Sequence, residues 1–194
     1  RVLAFSVIVD DDGTVLTFFF DHDVFRREIK LNDFHGYLKK NGIRAGGSTG
    51  LTEALEAVAK ETGNGDLLGG GFFHRAAAAP TAKKAATPSF VVIVTDGRPD
   101  NAASARDMIR KLSYRGVFLK FLFVGHDRQG WEFLRGLDSD IPVGVPYEHG
   151  GRLIDNVNAQ NMGSVRNMSD EEFFSAMFAE TTDWLQSARQ AGLI

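Results

Sequence analysis

The fold of this chain is decided by the stretch Phe90-Val91-Val92-Ile93-Val94-Thr95-Asp96-Gly97. An apolar, β-branched run of this length is typical of a strand that is buried on both faces of a parallel sheet. We expect this strand to lie centrally. Because the run ends on a carboxylate and then turns on glycine, Asp96 is expected at the carboxyl edge of the sheet, where open α/β sheets place their ligand sites.

A second segment places hydroxyl groups at the start of a helix. The turn Gly46-Gly47-Ser48-Thr49-Gly50 leads directly into a predicted helix at residues 51–62. This helix is indicated by apolar residues at the i, i+4 and i+7 spacing of one face: Leu51, Leu55 and Val58. The hydroxyls of Ser48 and Thr49 are therefore expected at a helix N-terminus. Taken alone, Thr49 is also a favoured helix N-cap, a role that needs no metal.

Strands and helices alternate along the rest of the chain, which implies a mostly parallel sheet with helices on both faces. Strands are predicted at residues 16–21, 28–31, 117–124 and 153–156, the second paired with the first and the last at a sheet edge. Helices are predicted at residues 102–114 and 131–137. One last helix is predicted to begin at Ser169 with a capping box to Glu172 and to end at Gly192. Its inward stripe is Phe174, Met177, Phe178, Thr181 and Leu185.

Composition and charge limit the class of protein. A chain of 194 residues with 43% hydrophobic content can bury a substantial core within one domain. Its net charge of -3 gives no electrostatic reason to expect nucleic acid or an anionic membrane as a partner. Cysteine is absent from the sequence, which excludes a disulfide scaffold and a thiolate zinc site. No apolar run reaches the roughly 18 residues that a membrane-spanning helix needs.

One segment departs from the alternation of strands and helices. Residues 64–88 contain Gly69-Gly70-Gly71 and several alanine runs, so we predict a flexible Gly/Ala-rich insertion. Its large apolar residues are expected to dock on the body of the domain, or else to anchor a partner: Leu67, Leu68, Phe72 and Phe73. The glycines do not form a phosphate-binding P-loop, because no Gly-Lys-Ser or Gly-Lys-Thr follows them.

The glycine-glycine-hydroxyl turn before a helix, followed by a buried strand that ends Thr95-Asp96-Gly97, resembles a von Willebrand factor A domain. Within that family the chain is most similar to the bacterial tellurium-resistance branch, the TerF-like domains. The resemblance also includes Val9-Asp10-Asp11-Asp12-Gly13-Thr14, residues 168–174 and residues 184–192. It covers nearly all of the chain except the insertion. It implies one Rossmann-like, doubly wound α/β domain over residues 1–194.

The resemblance implies a metal-ion-dependent adhesion site at the end of the sheet. In the family, three loops build this site, with Asp-x-Ser-x-Ser on the first, a threonine on the second and an aspartate on the third. The threonine corresponds to Thr49 and the aspartate to Asp96, and both are expected at the same sheet edge. The rim of the site would be formed by Ser48, Gly97, Arg98 and Asp100. Asp100 is interpreted first as the cap of the helix that follows it.

The expected ion is Mg²⁺, with Ca²⁺ or Mn²⁺ as alternatives, because hydroxyl and carboxylate oxygens are hard ligands. An ion held mainly by neutral hydroxyls keeps an excess of positive charge. A protein partner that offers an acidic side chain can then complete the coordination, and binding of this kind requires no catalysis. The resemblance further implies a cytoplasmic role in the bacterial response to tellurite and related stress.

The first motif of the site is absent from the sequence. No Asp-x-Ser-x-Ser occurs, and residues 1–7 read like the second half of the helix that follows the first strand of the family. We expect the natural protein to begin upstream of Arg1. The other interpretation is a degenerate family member without this ligand set, which would act as a metal-free protein-binding scaffold.

An enzymatic interpretation competes with the interaction module. The turn at residues 46–50 also satisfies the Gly-x-Ser-x-Gly pattern of a hydrolase nucleophile elbow, with Ser48 as nucleophile. Asp96 followed by His126 or His149 preserves the chain order Ser, Asp, His. However, an elbow needs a buried strand directly before the serine, and residues 39–45 are polar and broken by glycine. The non-catalytic interpretation is therefore favoured.

The two interpretations differ in the reactivity of Ser48. We expect a serine-directed phosphonate to leave the protein unmodified, because nothing in the sequence around Ser48 provides the strand that a nucleophile elbow requires. Intact-mass measurement after incubation tests this, with the Ser48→Ala variant as the control. Covalent labelling that is lost in Ser48→Ala would establish the hydrolase instead.

Overall fold

The structure is a computed structural model that describes residues 13–21, 23–33, 35–43, 50–68, 79–163 and 168–194, without the side chain of residue 31. Its strands are β1 (Thr14–Phe20), β2 (Val24–Lys30), β3 (Ser89–Thr95), β4 (Val117–Phe123) and β5 (Val157–Asn161). Its helices are α1 (Tyr37–Lys40), α2 (Leu51–Glu61), α3 (Ala102–Leu112), α4 (Arg128–Ser139), α5 (Asp170–Phe178) and α6 (Thr181–Gln190).

The strands form an antiparallel pair and a parallel sheet. β1 and β2 pair in register from Thr14 opposite Lys30 to Phe20 opposite Val24, as the sequence predicted for this hairpin. The parallel sheet has the strand order β3-β4-β5. The expectation that β3 lies centrally is wrong for the described strands, because β4 lies between the other two. Every residue of β4 is buried, whereas β3 is mostly half-buried, so β4 is the strand that both helical layers cover.

Helices cover both faces of the parallel sheet, as predicted. On one face, α2, α3 and α4 pack against alternate residues of β4, represented by Leu119 and Phe121. Phe20 of β1 packs against this same core. On the other face, α5 and α6 pack against Phe118 and Leu122. The alternation of side chains along β4 therefore divides the interior into two layers.

The predicted strand at residues 153–156 is wrong, because β5 begins at Val157. Ile154, which lies within the predicted strand, packs with α6 instead of pairing in the sheet. The sequence of β5 is polar, and its polar groups have partners that only the tertiary structure supplies. Asn158 accepts a hydrogen bond from the Lys120 ammonium, and the Ala159 amide donates to the Asp138 carboxylate at 3.2 Å.

The single C-terminal helix predicted from Ser169 is also wrong, because the chain breaks into α5 and α6. The capping box at Ser169 is confirmed, and Gly192 follows the end of α6 with a φ of +68°. The inward stripe differs from the prediction. The buried residues of the two helices are Phe173, Met177, Trp184 and Ala188, and Phe178 is 42% exposed.

Both ends of the Gly/Ala-rich insertion lie against the body of the domain. Leu67 is buried in the main core and Leu68 packs against it, which confirms the expected docking of these two residues. The Arg115 guanidinium contacts both ends, because it donates to the Asp66 carboxylate at 2.8 Å and to the Thr81 carbonyl. Residues 69–78, which include Phe72 and Phe73, lie outside the described residues. Flexibility of the insertion stays a prediction for that part.

Leu67→Ala should destabilise the domain by about 2 to 4 kcal/mol, because it removes a buried side chain from the main core and leaves a cavity. Urea unfolding of the variant measures this. Leu38→Ala is the matched control, since Leu38 is 52% exposed and its truncation should change the free energy of unfolding by less than about 0.5 kcal/mol. Equal effects of the two substitutions would contradict the docking of the insertion.

Candidate functional site at the carboxyl edge of the sheet

Asp96 lies where the sequence predicted it, directly after the last residue of β3. The Val124 amide donates to the Thr95 carbonyl at 3.0 Å, so pairing with the β4 chain continues to the final residue of β3. Asp96, Arg98 and Asp100 are exposed, and Gly97 is half-buried. Four of the predicted site residues therefore share one loop at the carboxyl edge. Ser48 and Thr49 lie outside the described residues.

The start of α2 is close to the same loop. The helix N-cap is Gly50, so the interpretation of Thr49 as the cap is wrong. The Gly50 amide donates to the Asp21 carbonyl at 2.9 Å, which joins the end of β1 to the start of α2. The Thr52 hydroxyl donates to the Asn101 carbonyl at 3.5 Å, a long contact between α2 and the end of the Asp96 loop. The chain that follows Thr49 therefore lies beside the loop that carries Asp96.

A third loop, between β4 and α4, packs directly on the Asp96 backbone. A Cβ atom at Gly125 would lie 2.4 Å from the Asp96 carbonyl oxygen, and a Cβ at Gly130 would lie 2.9 Å from the Gly97 carbonyl carbon. Only glycine permits these approaches. Asp127 caps α4 by accepting hydrogen bonds from the Gln129 and Gly130 amides at 3.1 and 2.9 Å. No motif in the sequence pointed to this loop as part of the site.

The helix after the Asp96 loop is capped by Asn101 rather than by Asp100. The Asn101 side chain accepts a hydrogen bond from the Ser104 amide at 3.0 Å. The expected cap was therefore one residue too early, because Asn and Asp are nearly equal as N-caps and both stand before the helix. Asp100 remains an exposed carboxylate on the same loop as Asp96.

The carboxyl edge carries more acidic than basic side chains. The loops after β3 and β4 carry the carboxylates of Asp96, Asp100 and Asp127, and Asp21 lies beside the start of α2. The basic residues on the same loops are Arg98 and Arg128, and Arg128 pairs with Glu132 at 2.7 Å. Mg²⁺ accepts one or two carboxylates and completes its octahedral shell with water. The exposed Asp96 carboxylate fits such an ion as one ligand of the set that the family resemblance implies.

A second group of carboxylates lies at the amino end of β5, where sequence spacing gave no signal. Asp138, Asp155 and Glu180 each offer an oxygen within 4.8 Å of the others. Burial is the main cause that raises the pKa of Asp138 and of Glu180, and repulsion among the carboxylates adds to it. Two buried cations face them. Arg152 lies 2.9 Å from Asp155, and burial lowers the pKa of Lys120 to about 8. This group is an ion-pair network that joins α4, β5 and α6.

A doubly wound α/β domain with candidate residues on loops at the carboxyl edge has the architecture of a von Willebrand factor A domain. The whole chain, residues 1–194, matches the vWA-TerF-like family, described as the vWA found in the C terminus of TerF, and so belongs to that family. The chain is also similar to the uncharacterised protein YcbR of Bacillus subtilis strain 168. The two are 26% identical over 200 residues, which cover all of this chain and 70% of YcbR.

The comparisons confirm the family resemblance and the fold class that the sequence predicted. Among the described residues, no helix combines the length and the apolar character that crossing a membrane requires. The metal ion, the acidic partner and the absence of catalysis stay predictions.

Gly125→Ala should destabilise the domain by about 1 to 3 kcal/mol, because the added Cβ would overlap the Asp96 carbonyl oxygen and force the two loops apart. Thermal or urea unfolding measures the change. Gly65→Ala is the control, since the nearest atom to its added Cβ is Lys60 Cγ at 3.9 Å. A Gly125→Ala variant as stable as Gly65→Ala would show that the loops do not approach as closely as described.

Proposed function

We propose that this domain is a non-catalytic protein-interaction module that binds Mg²⁺ at the carboxyl edge of its sheet and, through that ion, an acidic side chain of a protein partner. The observation that carries the proposal is the convergence of three chain segments around Asp96. These are the Asp96 loop itself, the start of α2 and the loop between β4 and α4, which touch through the Thr52 and Gly125 contacts.

Each predicted residue has a distinct role in the proposal. Asp96 supplies a carboxylate oxygen to the ion, directly or through water, and Thr49 supplies a neutral hydroxyl. Ser48, Gly97 and Asp100 form the rim of the site. Arg98, also on the rim and exposed, attracts an acidic partner during its approach. Ca²⁺ or Mn²⁺ could replace Mg²⁺, because all three ions accept hard oxygen ligands.

The acidic character of the edge supports an ion as the link to the partner. Asp96 and Asp100 are both exposed on one loop, and an acidic side chain that approaches them without a cation would be repelled. A bound divalent cation is the largest local charge in such a site and reverses its sign. The partner and the metal are therefore coupled in this proposal, and neither is expected to bind well alone.

Two other functions remain as alternatives. A metal-free scaffold of the same fold would bind its partner without an ion. A serine hydrolase would use Ser48, and the described chain before that residue argues against it. Among the residues described ahead of Ser48, 37–40 form one helical turn and 41–42 a turn, and residues 39–45 are polar and broken by glycine, whereas a nucleophile elbow follows a buried strand.

The family match supports a bacterial setting linked to tellurium resistance, since the family is described by its occurrence in TerF. We propose that the domain acts in the cytoplasm in the response to tellurite and related stress. Nucleic acid and membranes are not expected as partners, because the net charge is -3 and no basic run is present.

The 194-residue chain should bind Mg²⁺ weakly or not at all by calorimetric titration. Thr49 and Asp96 supply only part of the coordination, and water in the other positions binds the ion no better than bulk solvent does. A version of the protein that carries an Asp-x-Ser-x-Ser segment upstream should bind Mg²⁺ clearly. It should then bind glutamate-containing peptides in Mg²⁺ and lose them in EDTA.

The controls separate the proposed site from the rest of the molecule. In the extended protein, Asp96→Asn and Thr49→Val should each weaken Mg²⁺ binding, whereas Asp155→Asn, in the ion-pair network, should not. Tight binding that survives Asp96→Asn and is lost in Asp155→Asn would show that the ion binds in the ion-pair network and not at the carboxyl edge. Peptide binding that is equal in Mg²⁺ and EDTA would favour the metal-free scaffold.

A further inference from the structure

The break between α5 and α6 has no local cause in the sequence. Helix breaks usually coincide with Gly or Pro, and residues 174–185 contain neither. The backbone nevertheless leaves the helical region at Ala179, and Glu180 adopts a left-handed conformation with a φ of +66°. Among the described residues, Glu180 is the one non-glycine residue with a positive φ. A side chain beyond glycine in this conformation carries a steric cost, so tertiary contacts must hold the bend.

Lys120 replaces a backbone hydrogen bond that the bend removes. In a continuous helix the Ala176 carbonyl would accept a hydrogen bond from the Glu180 amide, four residues on. Because α5 ends at Phe178, the Ala176 carbonyl belongs to the last turn, whose carbonyls lack intrahelical partners. The ammonium of Lys120, a fully buried residue in the middle strand of the sheet, donates to this carbonyl instead.

Polar and charged groups on several elements surround the Lys120 ammonium next to the corner between α5 and α6. Asn158 on β5 accepts a hydrogen bond from the Lys120 ammonium. Glu180, at the corner, and Asp138, on α4, both attract the Lys120 charge. Next to them lie Asp155 and the buried Arg152, which pair with each other. Lys120 thus holds the bent backbone through the Ala176 carbonyl, and its charge attracts the Glu180 carboxylate at the corner.

The two helices dock on the sheet through separate groups of side chains. α5 buries Phe173 and Met177 against Leu122, whereas α6 buries Trp184 and Ala188 in the cluster that contains Phe118. α5 contributes only two fully buried residues, and Phe178 at its end is 42% exposed. Phe90 touches both groups, through its ring contacts with Phe178 of α5 and with Phe118. Movement of α5 would therefore separate Phe178 from Phe90 but leave Trp184 and Ala188 packed in the cluster that contains Phe118.

We propose that the corner at Ala179 and Glu180 is a two-state hinge. In the observed state, Lys120 and Glu180 hold α5 and α6 bent onto the sheet. In the other state, residues 170–190 form one continuous helix, α5 leaves the sheet, and the apolar face around Leu122 opens. The straight state removes the left-handed conformation and exchanges the bond from Lys120 to the Ala176 carbonyl for one from the Glu180 amide, but it gives up the burial of Phe173 and Met177. The bent state is therefore the dominant one.

A distance measurement separates the two states. The chain contains no cysteine, so the pair Glu171→Cys and Arg189→Cys, at exposed positions on α5 and α6, takes spin labels at these sites alone. In one continuous helix these positions lie about 27 Å apart, at 1.5 Å per residue. The bent state brings them closer, so pulsed electron-spin resonance should resolve two populations in the full chain.

Two substitutions of Glu180 form the matched comparison, since both remove the carboxylate. Glycine accepts the left-handed conformation, whereas alanine opposes it and favours the helix. The population near 27 Å should therefore be more than roughly tenfold higher in Glu180→Ala than in Glu180→Gly. Lys120→Met removes the ammonium but keeps an apolar side chain. It should also raise this population above that of the double-cysteine protein that keeps Lys120 and Glu180.

Hydrogen exchange gives an independent reading of the same change. Amides at residues 179–181 should gain protection in Glu180→Ala, because they become part of a helix. If Glu180→Ala and Glu180→Gly give the same short distance, and Lys120→Met changes only the melting temperature, the hinge is overturned and the bend is a fixed feature. Loss of all helical signal in Glu180→Ala, with Glu180→Gly still folded, would overturn it as well.

Discussion

The complete burial of β4 is the constraint on which the rest of this structure depends. Its side chains alternate between two helical layers, so each residue of the strand is committed to one of two cores. Lys120 is the one charged residue of β4, and its ammonium lies buried in the layer formed by α5 and α6. A buried ammonium requires hydrogen bonds and nearby carboxylates, and these come from β5, α4 and the corner before α6. One residue of the middle strand therefore links the positions of three other elements.

The carboxyl edge is organised by close backbone approach rather than by side-chain packing. Gly50 meets the Asp21 carbonyl, Gly125 meets the Asp96 carbonyl, and Gly130 meets Gly97. These contacts bring together loops that are far apart in sequence, and they leave Asp96 exposed. The site and the hinge occupy different parts of the domain, because the hinge lies with the ion-pair network near the amino end of β5. A metal ion at the edge and a bend between α5 and α6 can therefore be studied separately.

The predictions that succeeded relied on local patterns. The apolar run before Asp96, the periodic residues of α2 and the capping box at Ser169 each specify an element within a few residues. The predictions that failed needed information from distant parts of the chain. β5 is a polar strand whose Asn158 and Ala159 are satisfied by Lys120 and Asp138. The bend at Glu180 is held by the same lysine, so the regular spacing of apolar residues could not reveal it.

The sequence by itself determined the α/β class, the family, and the position of Asp96 at the end of a buried strand. It could do so because strand burial, helix periodicity and glycine turns are properties of neighbouring residues. Only the tertiary structure decided that β4 lies between β3 and β5 and that Gly125 packs against Asp96. It also decided that Lys120 faces two carboxylates, Asp138 on α4 and Glu180 at the corner before α6. These features are stabilised by contacts between residues that are remote in the chain, so no local sequence pattern predicts them.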